Sequence, residues 1–158
     1  MIMIKPLKPS SIHPDVELRD YLQDTIDVVV SGGTTEKVTV YGDWEKPTND
    51  IPDDFVIIMN NGSPAGVGMD TPYAEGYVMV SLYCKLNDDG TVKKNRVEKI
   101  LAQFDEDLDE LLTENYFFKY PREQFITPTT PNVTSGYSVT TLNLRWTTTS
   151  NFNKPNTP

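Results

Sequence analysis

A chain with one cysteine and one histidine has few ways to build a nucleophile, and here the pair would be Cys84 and His13. A thiolate–imidazole couple needs the two side chains within hydrogen-bond reach. His13 stands in a proline-punctuated lead-in (Pro6, Pro9, Pro14). Cys84 falls inside an alternating apolar run, where a thiol behaves as a small, inert hydrophobe. Nothing in the sequence brings them together, and a Ser–His–Asp site would need the same lone histidine. One cysteine also excludes an intrachain disulfide and a cysteine zinc cluster, and one histidine excludes a His-rich metal site. No catalytic residue, cofactor or metal is therefore expected.

Two loops deserve the same test. Residues 60–68 read NNGSPAGVG. No Gly-Lys-Ser/Thr follows and no GxGxxG opens a helix, so this stretch lacks the means to cradle a phosphate. It reads as a loop or a long hairpin tip. Asn87-Asp88-Asp89-Gly90 has the flavour of a calcium loop, but aligning Gly90 with the invariant glycine puts Lys85 and Arg96 where the first and last acidic ligands belong. A turn is the better reading. Paired-carboxylate hydrolysis stays open only in the formal sense that acids are plentiful.

Those acids set the charge. The 158 residues carry 14 Lys and Arg against 23 Asp and Glu, a net charge of −9. Such a chain is poorly suited to gripping nucleic-acid phosphates by bulk charge. Its length suits one domain, and 10% aromatic content argues for a packed core. The four apolar residues Met1-Ile2-Met3-Ile4 are too few for a secretory signal, and no apolar run approaches a membrane span.

The elements follow from spacing. Residues 1–13 read as an extended arm, 14–149 as one domain and 150–158 as a polar tail. Pro14 suits the first turn of a helix over about 14–27, with Asp15 and Glu17 near its positive end. Val28–Val30 and Lys37–Tyr41 read as strands about Ser31-Gly32-Gly33. Phe55–Met59 reads as a strand covered on both faces. In Tyr77–Leu86, Val78, Val80, Leu82, Cys84 and Leu86 share one face of a strand. The strongest helix spans about 91–113, where Val97, Ile100, Leu101, Phe104, Leu108, Leu111 and Leu112 form one stripe. Tyr116–Tyr120 and Gln124–Ile126 read as strand pieces, Thr127–Asn132 as a loop, and Tyr137–Thr148 as the last strand. The expected fold is a single-domain α+β structure, a mixed or antiparallel sheet flanked by two main helices (about 14–27 and 91–113).

The long helix carries one unusual feature. Lys93, Lys94, Arg96 and Lys99 occupy its first half, and Asp105, Glu106, Asp107, Asp109 and Glu110 its second. Helix dipoles favour the reverse order. Solvent screening makes such a pattern tolerable, and a solvated face is the plain explanation. A partner that neutralises both ends is the other one, as in a head-to-tail ring or an antiparallel pair. These nine residues are the candidate subunit interface. Met1, Ile2, Met3 and Ile4 are the candidate partner-contacting arm, unless they cover the domain's own sheet.

The order of elements is itself informative. An N-terminal helix leads to a segment with Trp44, then to the apolar strand Phe55-Val56-Ile57-Ile58-Met59 and a glycine-containing loop. The strand Gly76–Cys84 follows, then the amphipathic helix, and Gly136-Tyr137-Ser138 introduces the closing strand Leu142–Trp146. Over about residues 14–148 this order resembles the tail terminator (tail completion, head–tail joining) proteins of long-tailed bacteriophages. The resemblance implies a mixed sheet flanked by helices and assembly as a homo-oligomeric ring, commonly a hexamer. It implies a structural virion protein at the head–tail junction, assembled in the host cytoplasm and not an enzyme. The ring would cap the tail tube protein, stop its polymerisation and dock onto the head-completion or connector protein in the neck. DNA would pass through its channel without specific binding. The resemblance lies in elements and not in a motif, so no individual functional residue is carried across. The alternatives are another neck or baseplate structural protein of similar fold, or a small enzyme or ligand-binding domain, which would need a concave pocket with converging polar groups.

Overall fold

The computed structural model of the chain describes residues 12–25, 27–29, 35–45, 51–66, 73–120, 130–132 and 135–149. The expected arm (residues 1–11 of it), the strand piece Gln124–Ile126 and the tail from residue 150 lie outside them.

The alternating segments pair into a mixed sheet. Its strands are β3 (Thr39–Gly42), β4 (Asp54–Gly66), β5 (Ala74–Lys85), β6 (Leu111–Leu112), β7 (Tyr116–Lys119), β8 (Thr130–Asn132) and β9 (Tyr137–Thr148). The spatial order is β3-β4-β5-β9-β7-β6, with β8 also paired to β9. β3 runs parallel to β4, and every other pair is antiparallel. A separate antiparallel hairpin joins β1 (Asp27–Val29) and β2 (Thr35–Lys37). Two helices, α1 (Pro14–Thr25) and α2 (Lys94–Asp107), complete the single-domain α+β fold.

The period-two pattern sorts residues between the faces of the main sheet. Val56↔Leu82, Ile58↔Val80, Val80↔Leu142 and Val78↔Leu144 are paired, and all these side chains are at most 1% exposed. Val40, Tyr116, Phe118 and Trp146 extend the same face. Both helices contribute to this one core, α1 through Leu18 and Leu22, α2 through Val97, Ile100 and Phe104. Gly76 lies opposite Trp146, and an added Cβ there would stand 2.7 Å from the indole. That glycine is needed because the ring covers its backbone.

On the opposite face Tyr41, Ile57, Met59, Met79, Tyr83 and Tyr137 are half-buried. Phe55 stacks on Tyr83 at 4.9 Å and meets the edges of Tyr41 and Tyr137. Among the described residues, no helix packs across this face. Phe55–Met59 was expected to be covered on both sides. Its Val56 and Ile58 side is sealed, whereas Ile57 and Met59 are only half-buried.

Four boundaries differ from those expected. Residues 60–66 continue β4 instead of forming a loop, in a long hairpin with β5 whose register shifts between Asn61 and Ala65. The shift accommodates Pro64, which has no donor for a regular ladder. The first hairpin pairs 27–29 with 35–37, and β3 begins only at Thr39. Thr130–Asn132 is a strand, not a loop.

The fourth difference is the end of α2. Leu108 N–H closes the last helical turn on Phe104 O at 2.8 Å, and Glu110 then adopts φ 57°. That left-handed residue reverses the chain into β6. Leu111 and Leu112 therefore belong to a strand and not to the helix. Leu111 is 7% exposed and Leu112 64%, as neighbouring strand residues on opposite faces should be.

Candidate functional site

The two residues that would have made a nucleophilic pair are held at opposite ends of the sheet. His13 donates its backbone N–H to Tyr116 Oη at 2.7 Å, and Tyr116 pairs with Thr148. Cys84 pairs with Ser138, ten residues along the same strand, so about 30 Å separates the two positions. Cys84 is fully buried. Burial, with Asp54 adding to it, pushes its thiol well above the usual range. Among the described residues no group of acidic, histidine or cysteine side chains could hold a metal ion. No helix among them is long and apolar enough to cross a membrane.

Attention then falls on α2, which has two unlike ends. At its start Lys93 occupies the N-cap with φ −75° and ψ 75°, and its side chain makes no capping hydrogen bond. An open cleft of about 390 Å³ there is lined by Asn87, Val92, Lys93, Lys94, Asn95 and Arg96. Lys94 and Lys99 are exposed. Arg96 is committed within its own chain. Its Nε donates to Asp54 Oδ2 and an Nη to Glu36 Oε2, both at 2.7 Å. Burial opposes its charge, but the two carboxylates outweigh that and raise its pKa. Arg96 thereby ties α2 to the start of β4 and to β2. Of the four basic side chains, Lys93, Lys94 and Lys99 remain to face outward.

At the other end Asp105 and Glu106 are exposed on the last turn, and Asp107 accepts from Gln103 Nε2 at 3.2 Å. Asp109 and Glu110 lie beyond the helix in the reversing turn, where Glu110 pairs with Lys119 at 3.6 Å. A second open cleft, of about 340 Å³, is lined by Tyr21, Glu106, Asp107, Asp109, Glu110, Leu111 and Leu112. Beside these acids Tyr120 is partly buried against the core. Burial raises its phenol pKa, with Asp105 and Asp109 adding to the effect. The structure thus gathers the five acids on the last turn of α2 and in the turn beyond it, with Lys93 and Lys94 at its start and Lys99 nearer its middle, beside the exposed Glu98. The candidate arm Met1–Ile4 lies outside the described residues.

Sequence reasoning missed one polar centre. The Glu17 carboxylate accepts hydrogen bonds from Thr113 Oγ1, from Asn115 N at 3.1 Å and from Asn115 Nδ2 at 2.8 Å. This clamps α1 onto the β6–β7 turn. In sequence Glu17 reads only as an acid near a helix N-terminus, and its partners lie 96 and 98 residues away. Asp15, also in that first turn, is 7% exposed. No family model matches the chain, and no curated protein matches it either.

Proposed function

We propose that this chain is a structural virion protein of the tail terminator class. In this reading it is not an enzyme. It forms a homo-oligomeric ring at the head–tail junction, caps the tail tube, ends its polymerisation and joins the tail to the head connector. The order of elements supports the reading through the resemblance already described. The observation that carries it is the separation of charge along α2, with Lys93, Lys94 and Lys99 in its first half and the five acids on its last turn and in the turn beyond. One copy's basic end fits the next copy's acidic end, which is a heterologous contact. Repeated with rotation, such a contact closes a ring. Opposite charges across the joint set its register and exclude like-charged approaches.

The test is the triple substitution Lys93→Glu, Lys94→Glu, Lys99→Glu. None of these side chains is fully buried, so the monomer should keep its circular dichroism spectrum. Light scattering after size exclusion should show assemblies in the parent protein and loss of them in the variant. Addition of the parent protein to a polymerising tail tube protein should shorten the tubes. Parent protein that stays monomeric and leaves tube length unchanged would overturn the reading.

A further inference from the structure

We propose that Asn61-Gly62 is a site of spontaneous deamidation and that the hydrogen bond from Asn61 to Asn143 sets its rate. Of the chain's asparagines, only Asn61 is followed by glycine. The backbone nitrogen of the following residue can attack an asparagine Cγ, and glycine leaves that approach open because it has no Cβ. In this step the Gly62 nitrogen gives its proton to hydroxide and bonds to Asn61 Cγ. The Cγ–Nδ2 bond breaks, and the amide nitrogen takes a proton from water and leaves as ammonia. Water then opens the five-membered succinimide at either carbonyl, leaving aspartate or isoaspartate at position 61. One water is consumed and one ammonia released, with no oxidant or reductant.

The position of this dipeptide in the sheet makes it accessible. Asn61 is exposed. It is the last residue of the regular β4–β5 register, opposite Tyr77, and the ladder resumes only at Ala65, opposite Glu75. Gly62, Ser63 and Pro64 together face a single β5 residue, Gly76, so the attacking peptide lies where the ladder is irregular. Opening there costs less than opening inside a continuous ladder. Asp89-Gly90 is the nearest rival, since aspartate can close the same ring by losing water. Its carboxylate, however, accepts from Thr91 N–H at 3.0 Å and from Thr91 Oγ1, and these bonds hold it ionised below its ordinary value. An ionised carboxylate is a poor electrophile.

The Asn61 amide has one restraint. Its Nδ2 donates to Asn143 Oδ1 at 2.9 Å, which ties it across β5 to β9. Ring closure requires the amide to turn back on its own following peptide, so this bond breaks before the attack. The product cannot remake it, because a carboxylate has no proton to donate to Asn143 Oδ1. Isoaspartate also adds one carbon to the main chain after position 61. The paired segment from Asp54 to Asn60 precedes that point and keeps its register with β5.

The proposal concerns a single copy and is independent of the assembly reading. The test incubates the full-length protein in mildly alkaline buffer made with heavy-oxygen water, followed by anion exchange and peptide mass mapping. The expected product carries one more negative charge and heavy oxygen at position 61, with an unchanged circular dichroism spectrum. Asn61→Gln should abolish it, because the larger ring closes far more slowly. Gly62→Ala should slow it at least about tenfold, since a Cβ then crowds the nitrogen. Asn143→Ala should speed it about two- to tenfold, the range that one net hydrogen bond spans. Folded protein that keeps Asn61 intact over the time in which the urea-unfolded chain converts would overturn the proposal. So would label entering first at Asp89 or at another asparagine, or an unchanged rate in Gly62→Ala. An unchanged rate in Asn143→Ala would overturn the control assigned to the Asn61–Asn143 bond.

Discussion

Ile57 and Ile58 are the same residue type at adjacent positions of one strand, and they face different environments. Ile58 is fully buried beneath the helices, whereas Ile57 is half-buried on the face that no described helix covers. The covered face interlocks Val, Leu, Ile, Phe and Trp from both helices and most strands. The other carries aromatic and methionine side chains packed sideways against one another, alongside the polar contacts Ser81–Thr141 and Asn61–Asn143. Alternation dictates that two faces exist, and it does not dictate that both be sealed. Among the described residues, both helices seal one face of this sheet and none crosses the other.

The largest test of that contrast is a matched pair of truncations. Ile58→Ala should cost about 2–5 kcal/mol in urea unfolding, through lost burial and the cavity left behind. Ile57→Ala should cost about 1 kcal/mol, because water already reaches its site. Equal losses in dilute protein would break the contrast, since something would then cover Ile57 within the monomer. A loss at Ile57 that grows with protein concentration would sharpen it into evidence for docking.

Gly76→Ala probes how tightly the covered face is filled. The new methyl would lie within 2.7 to 3.0 Å of three indole atoms of Trp146. Trp146 is 2% exposed and meets the Tyr116 ring edge-on at 5.5 Å, so it has little room to retreat. A destabilisation of about 1–3 kcal/mol is expected, with a shifted tryptophan emission. An unchanged midpoint would show that this corner of the core is looser than its burial implies.

How far these faces were legible in the sequence depends on the range of the forces. Tyr137–Thr148 could be bounded from its alternation alone, and so could the apolar side of Tyr77–Leu86, because strand period is local. The end of α2 was not legible. Leu108, Leu111 and Leu112 continue a three–four spacing, so the stripe looks helical until Glu110 reverses the chain. The opposite charges along α2 could be read directly. The withdrawal of Arg96 from them could not, because its carboxylate partners lie 42 and 60 residues away. Nothing in the alternation says that β3 runs parallel to β4, or that one face lacks a covering helix.

Glu110 supplies a finer test, because its φ of 57° sets which of Leu111 and Leu112 turns inward. A side chain costs about 1–2 kcal/mol in this region and glycine far less. Glu110→Gly should therefore raise stability by up to about 1 kcal/mol, even though its exposed ion pair with Lys119 is lost. A fall in stability would mean that the carboxylate, and not the turn, holds β6 in register.

The smallest effect concerns how the covering layer is fastened at the β3 edge. Arg19 on α1 grips Glu45, just past β3, through two hydrogen bonds of 2.7 and 3.0 Å. Burial alone would raise the Glu45 carboxyl, but bonds from Arg19 and from Gly42 N–H hold it below its ordinary value of 4.5. A carboxyl depressed in the folded state contributes stability that is present above the unfolded value and is lost as pH falls through the folded one. The contribution should therefore be full above about pH 5.5 and fade on acidification below 4.5. Both side chains remain about a quarter exposed, which limits the pair to about 1 kcal/mol or less. The gap in urea midpoint between the parent protein and Glu45→Gln should be present at pH 7 and should narrow progressively as the pH falls below 4.5. A gap that stays constant across that range would show that the charge on Glu45 adds nothing to this contact, so that α1 is held at the β3 edge by packing and neutral hydrogen bonds, with the Glu17 clamp fastening its other side.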